Sequence, residues 1–311
     1  MYRTKAYLLL LVWGCATGVW GITNNADLIW YEDSGEPHDY LARQPIPEGL
    51  ITTRKIVVNQ KFPILWQVRF AFFDNLETLV IDDCGVNDIK PNTFRDLKPL
   101  TNLSLSRNNL RELKEGVFNH VQIKNLNFSS NKISVIAARA FDNMPVLERV
   151  VLDFNELRQW SGEWFFNCTN IKTVSITHNF LEELPLKAFR NFWNEEDKEV
   201  DVYFSYNKIG RVDPTAFEGA KNFGDLFLDW NDMERINGHA LGKLSSIRHL
   251  NLNGDSLQCL SEEFMSSVLN KTELLSLREN PLKCECFQEL QMRAEKTHTE
   301  IEFSQQQTAD C

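Results

Sequence analysis

The chain has 311 residues, with 33 Lys and Arg set against 43 Asp and Glu, a formal net charge of −10. That balance argues against nucleic acid or an anionic membrane surface as partner, because either requires a basic footprint. Its six histidines are scattered, and no nucleophile elbow, phosphate-binding loop or His-Glu-x-x-His occurs, so the sequence offers no enzyme, cofactor or metal motif.

Residues 1–21 read as a secretory leader. Arg3 and Lys5 precede a short apolar run over residues 6–13, and Ala16, Gly18 and Gly21 supply small residues for cleavage. The run is too short to span a bilayer, and no later stretch has membrane length, so a secreted, extracellular chain without membrane insertion is expected. Loss of the leader takes the net charge from −10 to −12. Residues 22–75 are expected to form an amino-terminal cap with a degenerate first coil. Within it, 24–48 is polar and Pro-interrupted and reads as an irregular cover, 54–58 as a first strand, and 62–73 as an apolar plug.

Residues 76–280 carry a repeat. In LTNLSLSRNNLRELKEGVF, Leu100, Leu103, Leu105, Asn108, Leu110, Leu113 and Phe118 fall at the spacing of one coil of a leucine-rich repeat, a short strand with a return segment. The Asn position recurs at Cys84, Asn108, Asn131, Asn155, Asn179, Asn207, Asn231, Asp255 and Asn280. Ten residues after the first six stand Phe94, Phe118, Phe141, Phe165, Phe189 and Phe217, and Leu241 and Met265 continue that column. One coil cannot bury its own apolar side, so the coils must stack. The predicted fold is therefore an α/β solenoid: a curved leucine-rich-repeat horseshoe with a parallel concave β-sheet and a cap at each end. The Asn is needed where the chain turns inward, since its amide both donates to and accepts from buried backbone groups. Four extra residues lengthen the fifth junction, and 191–199 should form an acidic bulge outside the strand stack.

Residues 281–311 read as a carboxy-terminal cap. Phe287, Leu290 and Ala294 have helical spacing. Six cysteines follow the leader, and an oxidising compartment favours bridges between exposed ones. Cys84 and Cys168 fall at core positions and are expected to be buried thiols outside any bridge. Cys259 and Cys284 each lie four residues after the Asn position on consecutive coils. Adjacent strands lie about 4.8 Å apart, within disulfide reach. This predicts a Cys259–Cys284 bridge, with Cys286 left for Cys311.

Asn102, Asn127, Asn167 and Asn270 are N-glycosylation acceptors. Asn127, read as mid-strand, and Asn102 beside a strand should project from the concave sheet. Asn167 and Asn270 should lie on the outer side. The residue before the Asn position becomes aromatic at Phe154, His178, Tyr206 and Trp230, and the strand column becomes aromatic at Tyr203 and Phe227. Rings on a rigid sheet suit the binding of a protein partner, because they supply contact area at little entropic cost. They equally suit stacking on one another to protect the sheet. Asp153, Asp201, Asp225 and Asp229 nearby would favour basic groups on a partner.

The chain resembles the secreted leucine-rich-repeat immune proteins of insects, particularly the mosquito group that escorts complement-like thioester proteins. The resemblance rests on the leader, the cysteine-free amino-terminal cap, the Phe-rich repeats and the Cys-x-Cys cap after Asn280 and Pro281. The long heptad coiled coil of the better-known members is missing, so this would be a coil-less type. The resemblance implies a non-enzymatic recognition protein of innate immunity whose partner is a complement-like thioester protein or another leucine-rich-repeat protein. It also implies a rival bridge, Cys284 with Cys311, with Cys259 outside it. A cell-surface or matrix adhesion module, a shed receptor ectodomain, and an inhibitor or carrier enclosing an enzyme are the alternatives.

Overall fold

The structure, a computed structural model, describes residues 27–31, 37–41 and 53–311 except 59–60, 62, 66–74, 96, 98, 120 and 193–197. The leader and most of the apolar plug fall outside the described residues, as do residues 193–197 of the acidic bulge. The chain divides into two compact units, residues 1–147 and 148–311, and both are leucine-rich-repeat solenoids.

In the first unit, strands Lys55–Val58, Thr78–Val80, Asn102–Ser104 and Asn125–Asn127 run parallel, one per coil. The amino-terminal region differs from the irregular cover expected for 24–48. Asp27–Tyr31 and Pro37–Leu41 form an antiparallel pair, and Asp27–Tyr31 also pairs antiparallel with Lys55–Val58. An open strand edge presents unpaired N–H and C=O groups. The added strands satisfy them, and Pro37 stands at a strand start, where its missing N–H is tolerated. Away from this sheet, Ile64–Leu65 pairs with Asp88–Ile89, and Glu112–Leu113 with Val135–Ile136.

Phe94, Phe118 and Phe141 are buried and adjoin in sequence order, with centroids 5.6 and 5.9 Å apart. The Asn position works as anticipated: Asn108 Nδ2 donates to the carbonyls of Ile81 and Leu105 at 2.7 and 2.9 Å, while its Oδ1 accepts the N–H groups of Cys84 and Val86, each at 3.0 Å. Cys84 substitutes a thiol for the amide. It is buried, and its Sγ donates to the carbonyls of Val58 and Asp82.

The second unit continues the pattern with parallel strands Arg149–Val151, Thr173–Ser175, Val200–Tyr203, Asn222–Phe227, Ser246–Asn251, Thr272–Ser276 and Glu300–Glu302. Its early coils return through turns and a 3₁₀ segment. The later ones return through short helices, Gly238–Leu241 and Glu262–Ser267. The two helices touch so closely that a Cβ on Gly238 would come 2.4 Å from the Phe264 nitrogen. Helix Cys284–Thr297 buries Phe287 and Leu290, as its spacing required, while Ala294 is half-buried. The Glu300–Glu302 strand extends the sheet into the carboxy-terminal cap; Leu277 N–H donates to the Glu302 carbonyl at 2.9 Å.

The bridges differ from the spacing argument. Cys259 pairs with Cys286 and Cys284 with Cys311, at Cα separations of 5.4 and 5.0 Å. The resemblance was right about Cys284–Cys311, but Cys259 is not left outside a bridge. The column of outward positions stops at Cys284, because the helix begins there. At 3.6 residues per turn, positions two apart point about 200° away from each other. The two cysteines of Cys-x-Cys therefore face different partners. Cys168, like Cys84, is buried.

The acceptor asparagines are placed as follows. Asn102 opens one strand and Asn127 closes the next; both are half-buried, and Asn127 Oδ1 accepts the Ser129 N–H at 3.0 Å. Asn167 and Asn270 are exposed. Cys168 inside its acceptor triplet disfavours Asn167, whereas Lys271 leaves Asn270 unhindered. Glycopeptide mapping of the protein expressed through a eukaryotic secretory pathway is expected to show Asn270 more fully occupied than Asn167; the reverse order would contradict this reading.

Candidate functional site

The residue before each Asn position has a left-handed backbone. In the second unit Phe154, His178, Tyr206 and Trp230 have φ between 54° and 57°, Gly254 has 63° and Glu279 has 57°. In the first unit Asp83, Arg107 and Ser130 share the conformation, at 52° to 57°. Aromatic residues rarely take it. Its recurrence at Arg107 and Ser130 shows that the turn, not the ring, demands it: this single left-handed residue sends the following Asn into the core and leaves its own side chain outside.

The consequence is a ladder of rings spaced by the coil repeat. Phe154 and His178 stack with centroids 4.3 Å apart and planes 9° from parallel, His178 and Tyr206 at 4.4 Å and 8°, and Tyr206 and Trp230 at 5.7 Å and 6°. The ladder ends on glycine. A Cβ on Gly254 would lie 2.6 Å from the Trp230 ring, so only a bare backbone lets the indole settle there. Internal faces are thus consumed by stacking, yet Phe154, Tyr206 and Trp230 remain 54, 46 and 44 % exposed. The self-stacking left open by the sequence is present, and the rims of the rings remain exposed alongside it.

A second group of rings begins at the ends of two strands and steps back along the third. Tyr203 meets Phe227 edge to face at 5.1 Å, and Phe227 meets His249 at 4.7 Å. Tyr203 Oη donates to Asp225 Oδ2 at 2.8 Å. Burial, reinforced by this bond, pushes the Tyr203 pKa up. His249 was not foreseen. Its ring bonds Ser276 Oγ at 2.9 Å, and burial lowers its pKa.

The acidic residues are committed inside the protein rather than offered to a partner. Asp153 Oδ1 accepts from Ser175 Oγ at 2.6 Å and from the Thr177 N–H at 2.8 Å. Asp229 is buried and accepts from Ser205 Oγ at 2.5 Å; burial raises its pKa. Arg248 lies 3.3 Å from both Asp201 and Asp225 and 3.5 Å from Glu199. A bulge makes this grouping: register shifts by one residue where Val200–Tyr203 meets Asn222–Phe227. Gly224 lies at that bulge, and a Cβ there would come 2.3 Å from Asp201 Oδ1 and 2.5 Å from Arg248 Nη2. The sequence signal for Arg248 was weak, since nothing in the repeat marks its column. Among the described residues, no group of three or more His, Cys, Asp and Glu side chains is placed to hold a metal ion, and no helix is long and apolar enough to cross a membrane.

A stack of single-strand coils, most with an inward amide and several with a ring outside, defines a scaffold of the leucine-rich-repeat class. Family models agree. Six copies of the BspA type leucine rich repeat region match residues 64–196, and a leucine rich repeat model matches residues 201–257. The chain is a leucine-rich-repeat protein.

It is 25% identical over 214 residues to transforming growth factor beta activator LRRC33 of Danio rerio, which covers 68% of this chain; the chain spans 29% of that relative's length. Solved structures share the fold. A chain of the Toll–Spatzle complex of Drosophila matches with a TM-score of 0.62 and 22% identity, over 72% of this chain and 29% of its own. The mouse RP105/MD-1 complex gives 0.66 and 21%, over 80% and 42%. The leucine-rich repeat domain of APL1B gives 0.57 and 20%, over 72% and 63%.

Proposed function

We propose that this is a secreted, non-enzymatic recognition protein of innate immunity that binds a protein partner across the exposed ring ladder of its second unit. The observation that carries the reading is the ladder itself: four stacked rings held rigidly on consecutive coils, with their rims in solvent. Rings fixed in this way lose little entropy on binding, which is why aromatic side chains dominate interface energetics. The acceptor asparagines 102 and 127 belong to the first unit, and no acceptor stands in either ring group, so glycans attached to the groups themselves do not shield them. Toll–Spatzle and RP105/MD-1, whose fold the chain shares, are complexes of two proteins, and the former is described as a hub of innate immunity. A complement-like thioester protein, or a second leucine-rich-repeat protein, is the partner that the family resemblance supports. With the local carboxylates already paired internally, apolar fit rather than attraction of basic groups should govern the contact.

The test is a Tyr206→Ala, Trp230→Ala double variant. Both side chains point away from the core, so secretion and melting temperature should stay near those of the parent. Affinity for a partner captured from the body fluid of the source is expected to fall about thirtyfold, the equivalent of about 2 kcal/mol. Unchanged capture by a well-folded variant would leave the ladder a self-packing device only.

A further inference from the structure

The amide ladder of the second unit contains one rung of different chemistry. Asn207, Asn231 and Asn280 each donate Nδ2 to the carbonyl three residues earlier and to its counterpart in the preceding coil. For Asn231 these are Leu228 and Phe204, at 2.7 and 3.1 Å; for Asn280 they are Leu277 and Leu252, at 3.2 and 2.7 Å. Asp255 holds the rung between Asn231 and Asn280 and is buried. Its Oδ1 does what an amide oxygen does, accepting the Asn231 N–H at 3.1 Å. Its Oδ2 is buried without a hydrogen-bond partner. By the repeat, Oδ2 stands where the other rungs place a donor, facing the carbonyls of Leu252 and Leu228. A carboxylate would set negative charge against carbonyl oxygens; a carboxylic acid would supply the missing O–H.

We propose that Asp255 is a proton-dependent rung: in the folded protein at neutral pH it carries a proton on Oδ2 and donates to a backbone carbonyl as asparagine does, and losing that proton in alkali loosens the coil that carries Trp230. The link to Trp230 is direct. Asp255 holds the N–H of Asn231, the residue after Trp230, and Gly254, the residue before Asp255, is the seat of the Trp230 ring.

Electrostatics favour the protonated form. Burial pushes the Asp255 pKa up to about 8 against the opposing pull of the Asn231 and Met233 N–H groups, and the charges of Asp229 and Asp232 on the preceding coil add to the rise. Asp229 is itself buried and shifted upward, while Asp232 is exposed. On its own coil His249 is held toward the neutral form. On the following coil Arg278 pairs with Glu302 at 3.2 Å, and Glu279 and Lys283 are exposed. The sign follows. An unfolded Asp titrates near pH 4, so between about pH 4 and pH 8 the folded state binds more protons than the unfolded one. Stability falls as pH rises through that window and levels off above it.

The inference does not depend on what the ladder binds. Thermal unfolding of the disulfide-intact parent and of Asp255→Asn, from about pH 5 to pH 9.5, tests it; other titrating groups, Asp229 included, are present in both chains. The variant is expected to melt higher by a margin that widens with pH, reaching about 5 °C or more near pH 9. An infrared difference spectrum between the two near pH 6 should show a protonated carboxylic acid in the parent alone. Amide exchange over residues 228–233, corrected for its intrinsic pH dependence, should accelerate between about pH 7 and pH 9 in the parent and not in the variant. A pH-independent difference in melting, or no acid band, would overturn the protonated rung, and equal exchange would overturn its hold on Trp230.

Discussion

Replacing Phe189 by alanine is expected to cost about 4 kcal/mol of folding stability. The side chain is fully buried. Its ring stacks on Phe217 at 4.9 Å and meets Phe192 and Phe223 edge to face, each at 5.5 Å, with Trp160 at 5.6 Å and Phe204 at 5.9 Å. A cavity at this point cannot close cheaply, because its walls belong to different coils held in register by the sheet. Trp160 is pinned as well, its indole N–H donating to the Ala188 carbonyl at 2.8 Å. The transfer term and the residual cavity therefore add. Urea unfolding is the measurement: the midpoint should fall with little change in slope. A midpoint close to the parent's would mean that the phenylalanine column is not the mechanical centre of the solenoid.

Asn179→Ala is expected to cost about 3 kcal/mol through a different mechanism. Asn179 Nδ2 donates to the carbonyls of Leu152 and Thr177 at 3.0 and 3.1 Å, and its Oδ1 accepts the Leu157 N–H at 3.0 Å. Alanine removes few atoms but leaves a buried N–H and carbonyls on two coils with bonds unmade. Each such group carries a desolvation penalty of about 1–3 kcal/mol. The amides of residues 152–157 should also exchange faster with solvent in the variant. Equal stability and equal exchange would show that ordered water replaces the amide. Because its deficit is polar, this variant should remain compact, whereas Phe189→Ala opens a void; the two substitutions separate what the amide ladder and the ring column contribute.

The ring ladder carries a further lesson about aromatic surfaces. Stacking on adjacent coils uses up the faces of His178 and Tyr206, on which a sugar or a nucleobase would otherwise lie. What stays exposed is a row of rims, suited to the apolar side chains of a protein. Under the proposed function, packing and recognition are therefore not competing uses of these residues, since the stack is what makes the surface rigid.

Much of this architecture follows from residue spacing alone. The Leu, Asn and Phe columns recur at the coil repeat, and a residue's place within a coil decides whether it points in or out. That is why the parallel strands, the buried phenylalanines, the inward amides and the buried thiols Cys84 and Cys168 were legible without coordinates. The ring columns were legible for the same reason. Tertiary structure decided what depends on reach between elements or on phase within them. The helix that begins at Cys284 turned Cys284 and Cys286 toward different partners, so no column argument could pair them correctly. The antiparallel strands at the amino terminus answer an open edge that becomes visible only once the Lys55–Val58 strand is in place. A bulge brought Arg248 to Asp201 and Asp225 and closed off the acidic surface. Asp255 reads in sequence as a mild variant of the Asn position; only the burial of its Oδ2 beside a rung that calls for a donor makes it a site for a proton.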